Sequence, residues 1–355
     1  MDEVIIVINP GSTSTKMALF RGEEKIAEEN VTHPADQLAR FDNVSDHFEL
    51  RMRNIEEWLA RNGINEKKVV AVAGRGAPLR PLEGGVYGIN EKMLSDLKAM
   101  KYSNHASNLG AIIADHLGKK YNSIAIIADP VTTDNFTDYA RISGIPEIER
   151  KCRAHTLNIK EVCRREAEKR GKSLEQCNFV AAHMGGGVSV AAVKKGRIVD
   201  VNDALLGMGP FSPDRAGALP IGGLVKLCYS GKFTEKELVE KLSRKAGLMA
   251  YLGQSDLREV EKMIDAGDKK AELHFRAMAY QIAKEIGAYA VALKGNFEGI
   301  VLTGGMAKSS RLIEILKEHI SFLGEVMVVP GEFEMEALAA WARRVIDKRE
   351  IPKEY

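Results

Sequence analysis

The 355-residue sequence predicts an α/β protein of two similar domains facing a cleft. Short apolar, β-branched runs alternate with longer stretches of helical periodicity, the pattern of strands joined by crossover helices. The length corresponds to two domains at ~150 residues each. A strand, small-residue turn and strand at residues 4–20 is echoed by another at 179–193, half a chain later. No short repeat accompanies the echo, so a solenoid is excluded.

In chain order, residues 4–8 form an apolar strand run that ends in Asn9, Pro10, Gly11 and Ser12, and 15–20 read as the returning strand. Residues 46–62 carry Met52, Ile55 and Leu59 at helical spacing, with Gly63 as the C-terminal stop. A strand at 69–73 follows, then helical stretches over 94–117 around a polar break at 103–107. Residues 124–128 form a strand that ends at Asp129 and Pro130. The charged stretch 158–171 reads as a solvated helix, and the domain change is placed beside it. The expected domains are therefore 1–165 and 166–333, with a last helix within 334–355 folding back on the first. In the second half, 179–182 and 188–193 are strands around Gly185, Gly186 and Gly187. Residues 271–293 form a long helix with Leu273, Tyr280, Ile286 and Leu293 turned inward, and 300–303 and 326–329 are further strands.

Composition narrows the function classes. The 51 basic and 49 acidic residues nearly cancel, so nothing points to nucleic acid or an anionic membrane as partner. Cys152, Cys163, Cys177 and Cys228 form no C-x-x-C pair, which argues against a zinc or dithiol site. The acidic start and the absence of an apolar run of ~20 residues indicate a cytoplasmic protein.

Three glycine-rich turns carry the chemistry. In the first, small residues bring backbone N–H groups within reach of a phosphate. Ser12 and Ser14 add hydroxyl donors, Lys16 adds a charge, and Asn9 can reach a metal-bound water. The second turn, Gly185-Gly186-Gly187, is followed by β-branched residues rather than a helix, which excludes a dinucleotide-binding fold. No G-x-x-x-x-G-K-[ST] segment is present either. In the third, Thr303 leads into Gly304 and Gly305, whose bare backbone lets a flat group such as adenine lie close.

Taken together, these segments resemble the acetate kinase family, within the superfamily of acetate and sugar kinases, Hsp70 and actin. Asn9-Pro10-Gly11-Ser12-Thr13-Ser14-Thr15-Lys16 is similar to that family's first signature, asparagine-x-glycine-serine-x-serine-x-lysine. His183-Met184-Gly185-Gly186-Gly187-Val188-Ser189 resembles its histidine-leucine-glycine phosphate turn, and Asp214-Arg215-Ala216-Gly217 its arginine-glycine segment. Gln254-Ser255-Asp256-Leu257-Arg258 and Thr303-Gly304-Gly305 resemble its nucleotide-side motifs. The proline after Asn9 and the compact length resemble the butyrate and branched-chain fatty acid kinases within that family.

The resemblance implies two ribonuclease H-like domains, the duplication of actin-like ATPases, facing a nucleotide cleft. It implies a phosphotransferase with a carboxyl group as acceptor, using ATP and Mg2+ and giving ADP and an acyl phosphate reversibly. The implied acceptor is a short-chain fatty acid, above all butyrate, and the implied assembly a homodimer or a multiple of it. By the same resemblance, Arg75, Asp129, His155 and Arg215 are catalytic. Arg75, Ala77, His105 and Ala154 line the acyl site, and Asn9, Asp129 and Glu336 hold magnesium. Ser12, Ser14, Lys16, His183, Gly185, Gly186, Gly187, Asp256, Arg258, Gly304 and Gly305 bind the nucleotide. Ala154 stands where acetate kinases have phenylalanine, and Gly76-Ala77 where they have valines, which implies a roomier acyl pocket. Two added methylenes at ~0.8 kcal/mol each then favour butyrate over acetate by roughly 15-fold. The rival readings are an isobutyrate or acetate kinase, a sugar kinase with Asp129 as base, and an Hsp70-like or actin-like nucleotide switch.

Overall fold

The computed structural model describes residues 3–38, 41, 43–64 and 69–355. The strands are β1 (Val4–Pro10), β2 (Ser14–Arg21), β3 (Glu24–Thr32), β4 (Val69–Arg75), β5 (Val86–Gly88), β6 (Ile124–Ala128), β7 (Asn178–Met184), β8 (Val188–Lys194), β9 (Arg197–Val201), β10 (Gly299–Gly304) and β11 (Val326–Pro330). The helices are α1 (Ala35–Leu38), α2 (Phe48–Arg61), α3 (Glu91–Lys98), α4 (Asn108–Lys120), α5 (Asp138–Arg141), α6 (Thr156–Glu168), α7 (Ile221–Cys228), α8 (Glu235–Arg244), α9 (Gly247–Leu252), α10 (Leu257–Asp265), α11 (Lys269–Ala292), α12 (Ser310–Ile320) and α13 (Glu334–Ile346). None of the described helices is long and apolar enough to cross a membrane.

The chain forms two compact units, Met1–Asp134 with Phe333–Tyr355, and Asn135–Glu332. Residues 135–165, which the sequence reading assigns to the first domain, cluster with the second unit. Arg150 donates to Asp200 Oδ1 at 2.8 Å there, and α6 packs on β7 and β10.

In the first unit the sheet order is β3-β2-β1-β4-β6-β5. β1, β2 and β3 form an antiparallel meander, while β1, β4 and β6 run parallel. In the second, the order is β11-β10-β7-β8-β9, again an antiparallel meander of three strands extended by parallel ones. This repeated arrangement matches the two similar domains expected from the sequence echo, and it is the ribonuclease H-like duplication that the family resemblance implies.

Strand alternation decides how each sheet is covered. On β1, Val4, Ile6 and Ile8 join a core with Met52, Ile55, Trp58 and Leu59 of α2 and Leu109, Ile113 and Leu117 of α4. The alternate residues Ile5 and Val7 are also buried, and α13 packs on β1, β4 and β6. In the second unit, Val180, Ala182, Val190 and Ala192 meet Phe275, Met278, Ile282 and Ile286 of α11 and Leu312 and Leu316 of α12. The inward face of α11 thus differs from the sequence expectation. Ile286 and Leu293 are buried, but Leu273 and Tyr280 are 64% and 51% exposed. Leu273 and Tyr280 share a face, but the step from Tyr280 to Ile286 turns about 120° around the helix at ~100° per residue, and the buried face, Ala271, Phe275, Met278, Ile282 and Ile286, lies roughly opposite Leu273.

Parallel strands bring their C-terminal ends to one edge, where open α/β sheets bind ligands. In the first unit that edge carries Asn9, Arg75 and Asp129; in the second it carries the Gly185–187 turn and Gly304.

Candidate functional site

On the first unit, Glu334 is the hub. Its Oε2 accepts from Asn9 Nδ2 at 2.9 Å and from Arg75 Nη1. Glu334 heads α13, and Arg75 ends β4, so helix and sheet edge fix the cluster from opposite directions. Arg75 remains partly open to solvent. Glu336, the carboxylate expected beside Asn9, instead pairs with Lys25 at 3.1 Å. Lys16 pairs with Glu28 at 3.2 Å on the β2–β3 surface, so its charge already has a partner. Ser12 is exposed and Ser14 half-buried at the turn.

Asp129 is buried, with φ of 38° in the left-handed region. Its Oδ1 accepts the Gly85 amide at 2.9 Å and its Oδ2 accepts Trp341 Nε1 at 3.0 Å. His105 faces solvent at one side, and its Nδ1 lies 2.8 Å from Ser107 Oγ. Partial desolvation, then the Arg75 charge, lowers the His105 pKa, which favours the neutral ring.

Gly76 and Ala77 give no room for a substrate. A Cβ at Gly76 would lie 2.6 Å from Pro130 Cα, so Pro130 fills the space that a side chain would take. Ala77 has no exposed surface and belongs to a core with Leu79, Leu82 and Ile127. The roomier pocket expected at these two positions is absent, because the chain itself occupies it.

On the second unit, the turn between β7 and β8 is closed by the Gly185 amide on the Gly187 carbonyl at 3.0 Å. Arg215 packs against it: a Cβ at Gly187 would come within 2.2 Å of Arg215 Nη1, so a side chain there would displace the guanidinium. Arg215 Nη1 donates to the Ala204 carbonyl at 2.6 Å, and Ser212 Oγ donates to the Gly186 carbonyl. Burial raises the pKa of the neighbouring Asp214, against the pull of Arg215.

His155 and His183 stack with ring centroids 3.9 Å apart and planes 11° apart. His155 Nδ1 lies 2.9 Å from Ser189 Oγ. His183 Nδ1 lies 2.8 Å from Asn158 Nδ2, which also reaches Thr303 Oγ1 at 3.3 Å. His183, Asn158 and Thr303 are all buried, so this chain forms the floor under the half-buried His155. Ala154 beside it is half-buried.

An open cavity of about 610 Å³ lies entirely within this unit, lined by Gly185, Gly186, Asp214, Asp256, Arg258, Gly305, Lys308 and Ser309 among others. Its size suits a nucleotide-scale ligand. Asp256 accepts from the Arg258 amide at 2.9 Å, capping α10, and its Oδ2 pairs with Arg258 Nη2 at 2.6 Å. Those hydrogen bonds hold the Asp256 carboxyl down at about 2. Gly304 has φ of 89°, and a Cβ there would lie 2.3 Å from the Met184 carbonyl oxygen. That close approach brings the third glycine turn beside the second.

Sequence reasoning missed Glu334, Asn158 and Trp341 and gave Ser189 of the phosphate-turn segment no role of its own, because their partners are distant in sequence. Among the described residues, no group of three His, Cys, Asp or Glu side chains is arranged to hold a metal ion.

The acetokinase family model matches residues 137–340, more than half of the chain. The fold is similar to the crystal structure of acetate kinase from Porphyromonas gingivalis, with a TM-score of 0.79 at 20% identity over 97% of this chain and 99% of that one. It is similar to a propionate kinase from Francisella tularensis subsp. tularensis SCHU S4, with a TM-score of 0.77 at 18% identity over 96% and 98% of the two chains. For acetate kinase from Entamoeba histolytica the TM-score is 0.75 at 18% identity, over 95% and 98%. With the family model matched and the same architecture along nearly the whole length, the chain belongs to the acetokinase family.

Proposed function

We propose that the chain transfers the terminal phosphoryl group of MgATP to the carboxylate of a short-chain fatty acid, giving ADP and an acyl phosphate. The observation that carries this reading is the state of Asp129. A hydroxyl acceptor needs a general base, and Asp129 is the aspartate at the sheet edge available for that work. It is buried, and both its oxygens already accept hydrogen bonds. A carboxylate needs no such base, because its pKa lies far below 7 and it is nucleophilic as it stands. What it needs is relief from repulsion. Two like charges at ~4 Å and an effective dielectric of ~20 cost about 4 kcal/mol.

Arg75, partly open at the end of β4, is proposed to hold the acid, and its planar fork suits a carboxylate. Arg215, packed under the Gly185–187 turn, is proposed to support the nucleotide phosphates, with His155 a further donor to the transferring group. The cavity lined by Asp256, Arg258 and Gly305 is proposed to take the nucleoside. Asn9 and Glu334 offer hard oxygen ligands side by side, which suits Mg2+ held largely through water and phosphate rather than by an all-protein cage. When bound, the ion would neutralise charge on the phosphoryl oxygens.

Among acids, butyrate or isobutyrate is proposed to lead, on the small Ala154 and the likeness of the Asn9-Pro10-Gly11 segment to butyrate kinases. Trapping the acyl phosphate as its hydroxamate with acids of two to five carbons tests both levels. Acid-dependent turnover with four-carbon acids ahead is the expected result. Acetate in the lead would overturn the chain-length reading, and no acid-dependent ATP turnover would overturn the carboxylate reading.

A further inference from the structure

Arg51 is fully buried in α2, on the face it shares with Met52, Ile55, Trp58 and Leu59. Its guanidinium reaches the turn between β1 and β2. Nη1 donates to the Ser14 carbonyl at 2.8 Å and to Thr15 Oγ1 at 2.9 Å. Nη2 donates to the carbonyls of Gly11 at 2.9 Å and Ser12 at 3.2 Å. The remaining carbonyl of the turn, that of Thr13, accepts the His33 amide at 2.8 Å. Every carbonyl of residues 11–14 is therefore bonded to the protein behind it.

This has a consequence for the amides. In a trans peptide the carbonyl of one residue and the N–H of the next point in opposite directions. With the Gly11 and Ser12 carbonyls drawn towards Arg51, the amides of Ser12 and Thr13 point away from it. Both residues are exposed, and neither amide has a partner among the described residues. Outward amides beside hydroxyls make an anion cradle.

We propose that Arg51 is a positioning residue for phosphoryl transfer: it draws the carbonyls of the Gly11–Ser14 turn inward, so that the Ser12 and Thr13 amides face a phosphoryl oxygen. The inference rests on the phosphotransferase reading above. The charge of Arg51 supports it independently. Among the described residues no carboxylate pairs with this guanidinium, its Nε has no hydrogen-bond partner, and burial draws its pKa down to about 10. A buried charge without a counter-ion is costly, and an anion on the outer side of the turn supplies one. Neutral donors would serve a purely structural role at lower cost.

The test compares wild type with Arg51→Lys, which keeps the charge but loses the fork, and with Thr15→Val, which at constant shape removes the hydroxyl that Arg51 Nη1 shares with His33 Nε2; His33→Gln is the control for the second of those bonds. Turnover is read at a temperature where circular dichroism shows the variant folded, and amide exchange is read by mass spectrometry on peptides covering residues 9–16, with and without MgATP. In wild type, MgATP should slow exchange in those peptides. In Arg51→Lys that protection should shrink, and kcat should fall by about tenfold to a hundredfold, the scale of a small misplacement of reacting groups. Thr15→Val should move both in the same direction by less, and it decides the matter if Arg51→Lys does not fold. A folded variant with a lower melting temperature but wild-type kcat and wild-type protection would reduce Arg51 to a structural residue and overturn the proposal. Absence of MgATP protection in wild type would overturn it as well. If wild type turns over no acid, the function proposed above fails by itself, and the exchange measurement still decides the role of Arg51.

Discussion

Glu334 and Glu336 stand two residues apart in the first turn of α13, and at ~100° per residue they point about 200° apart around the helix. Only one of them can face Asn9 and Arg75, and it is Glu334. Glu334→Gln is expected to lower kcat by about a hundredfold or more, as loss of a preorganised charge at a phosphoryl site does, with Glu336→Gln close to wild type. Equal effects of the two would remove Glu334 from the mechanism. His33 gives a second residue-level expectation. Burial, then the charges of Arg51 and His47, lowers its pKa from 6.5 to about 4. Between those values the unfolded chain binds a proton that the folded chain does not, so stability is full above pH 6.5 and falls as the pH drops towards 4. The melting temperature should decline over that window, and less steeply in His33→Gln. At this scale the sequence exposes Asn9 and Arg75 because their neighbours are distinctive glycines. It does not separate Glu334 from Glu336, because a helix start fixes the angle between two side chains but not which one meets the sheet. Arg51 leaves a trace that is readable in hindsight, an arginine placed within the apolar spacing of Met52, Ile55 and Leu59.

At the scale of elements, two glycines with opposite surroundings give opposite expectations. Gly304 ends β10 with φ of 89° and the Met184 carbonyl oxygen 2.3 Å from where a Cβ would sit. Gly304→Ala should destabilise the second unit by at least ~2 kcal/mol, from left-handed strain and backbone clash together. Gly287 lies inside α11, and a Cβ there meets nothing within 4 Å. Gly287→Ala should therefore stabilise the helix by about 0.5–1 kcal/mol. Chemical denaturation of both variants checks the pair, and a destabilised Gly287→Ala would show that α11 is not a regular helix at that point. The same local logic explains which elements are legible. The buried central strands β1, β4, β7 and β10 are continuous apolar runs, and they stand out. β3 is a charged edge strand, with Glu24, Lys25, Glu28 and Glu29 along it. Charge protects an edge from unwanted pairing and erases the alternation by which a strand is recognised. α7 is apolar yet has no buried residue among its own, so burial pattern and hydropathy disagree there.

At the scale of the whole molecule, the first unit is assembled from two stretches of chain separated by the entire second unit. The returning stretch is no appendage. Met335, Leu338, Trp341 and Val345 of α13 are buried, Trp341 holds Asp129, and Tyr355 Oη donates to Asp96 Oδ2 at 2.9 Å. At ~2 kcal/mol for each large apolar side chain, α13 contributes on the order of 8 kcal/mol, comparable with the whole stability of an ordinary domain at ~5–15 kcal/mol. Residues 1–134 alone should therefore lack a cooperative transition and bind a hydrophobic dye, since β1, β4 and β6 lose the helix packed on them. A peptide of residues 333–355 added in trans should restore the transition. Residues 135–332 are continuous and hold their own core around Phe275, Ile282 and Leu316, so that segment should unfold cooperatively by itself. Cooperative unfolding of 1–134 without the peptide would mean that α13 covers the sheet without being needed to form it.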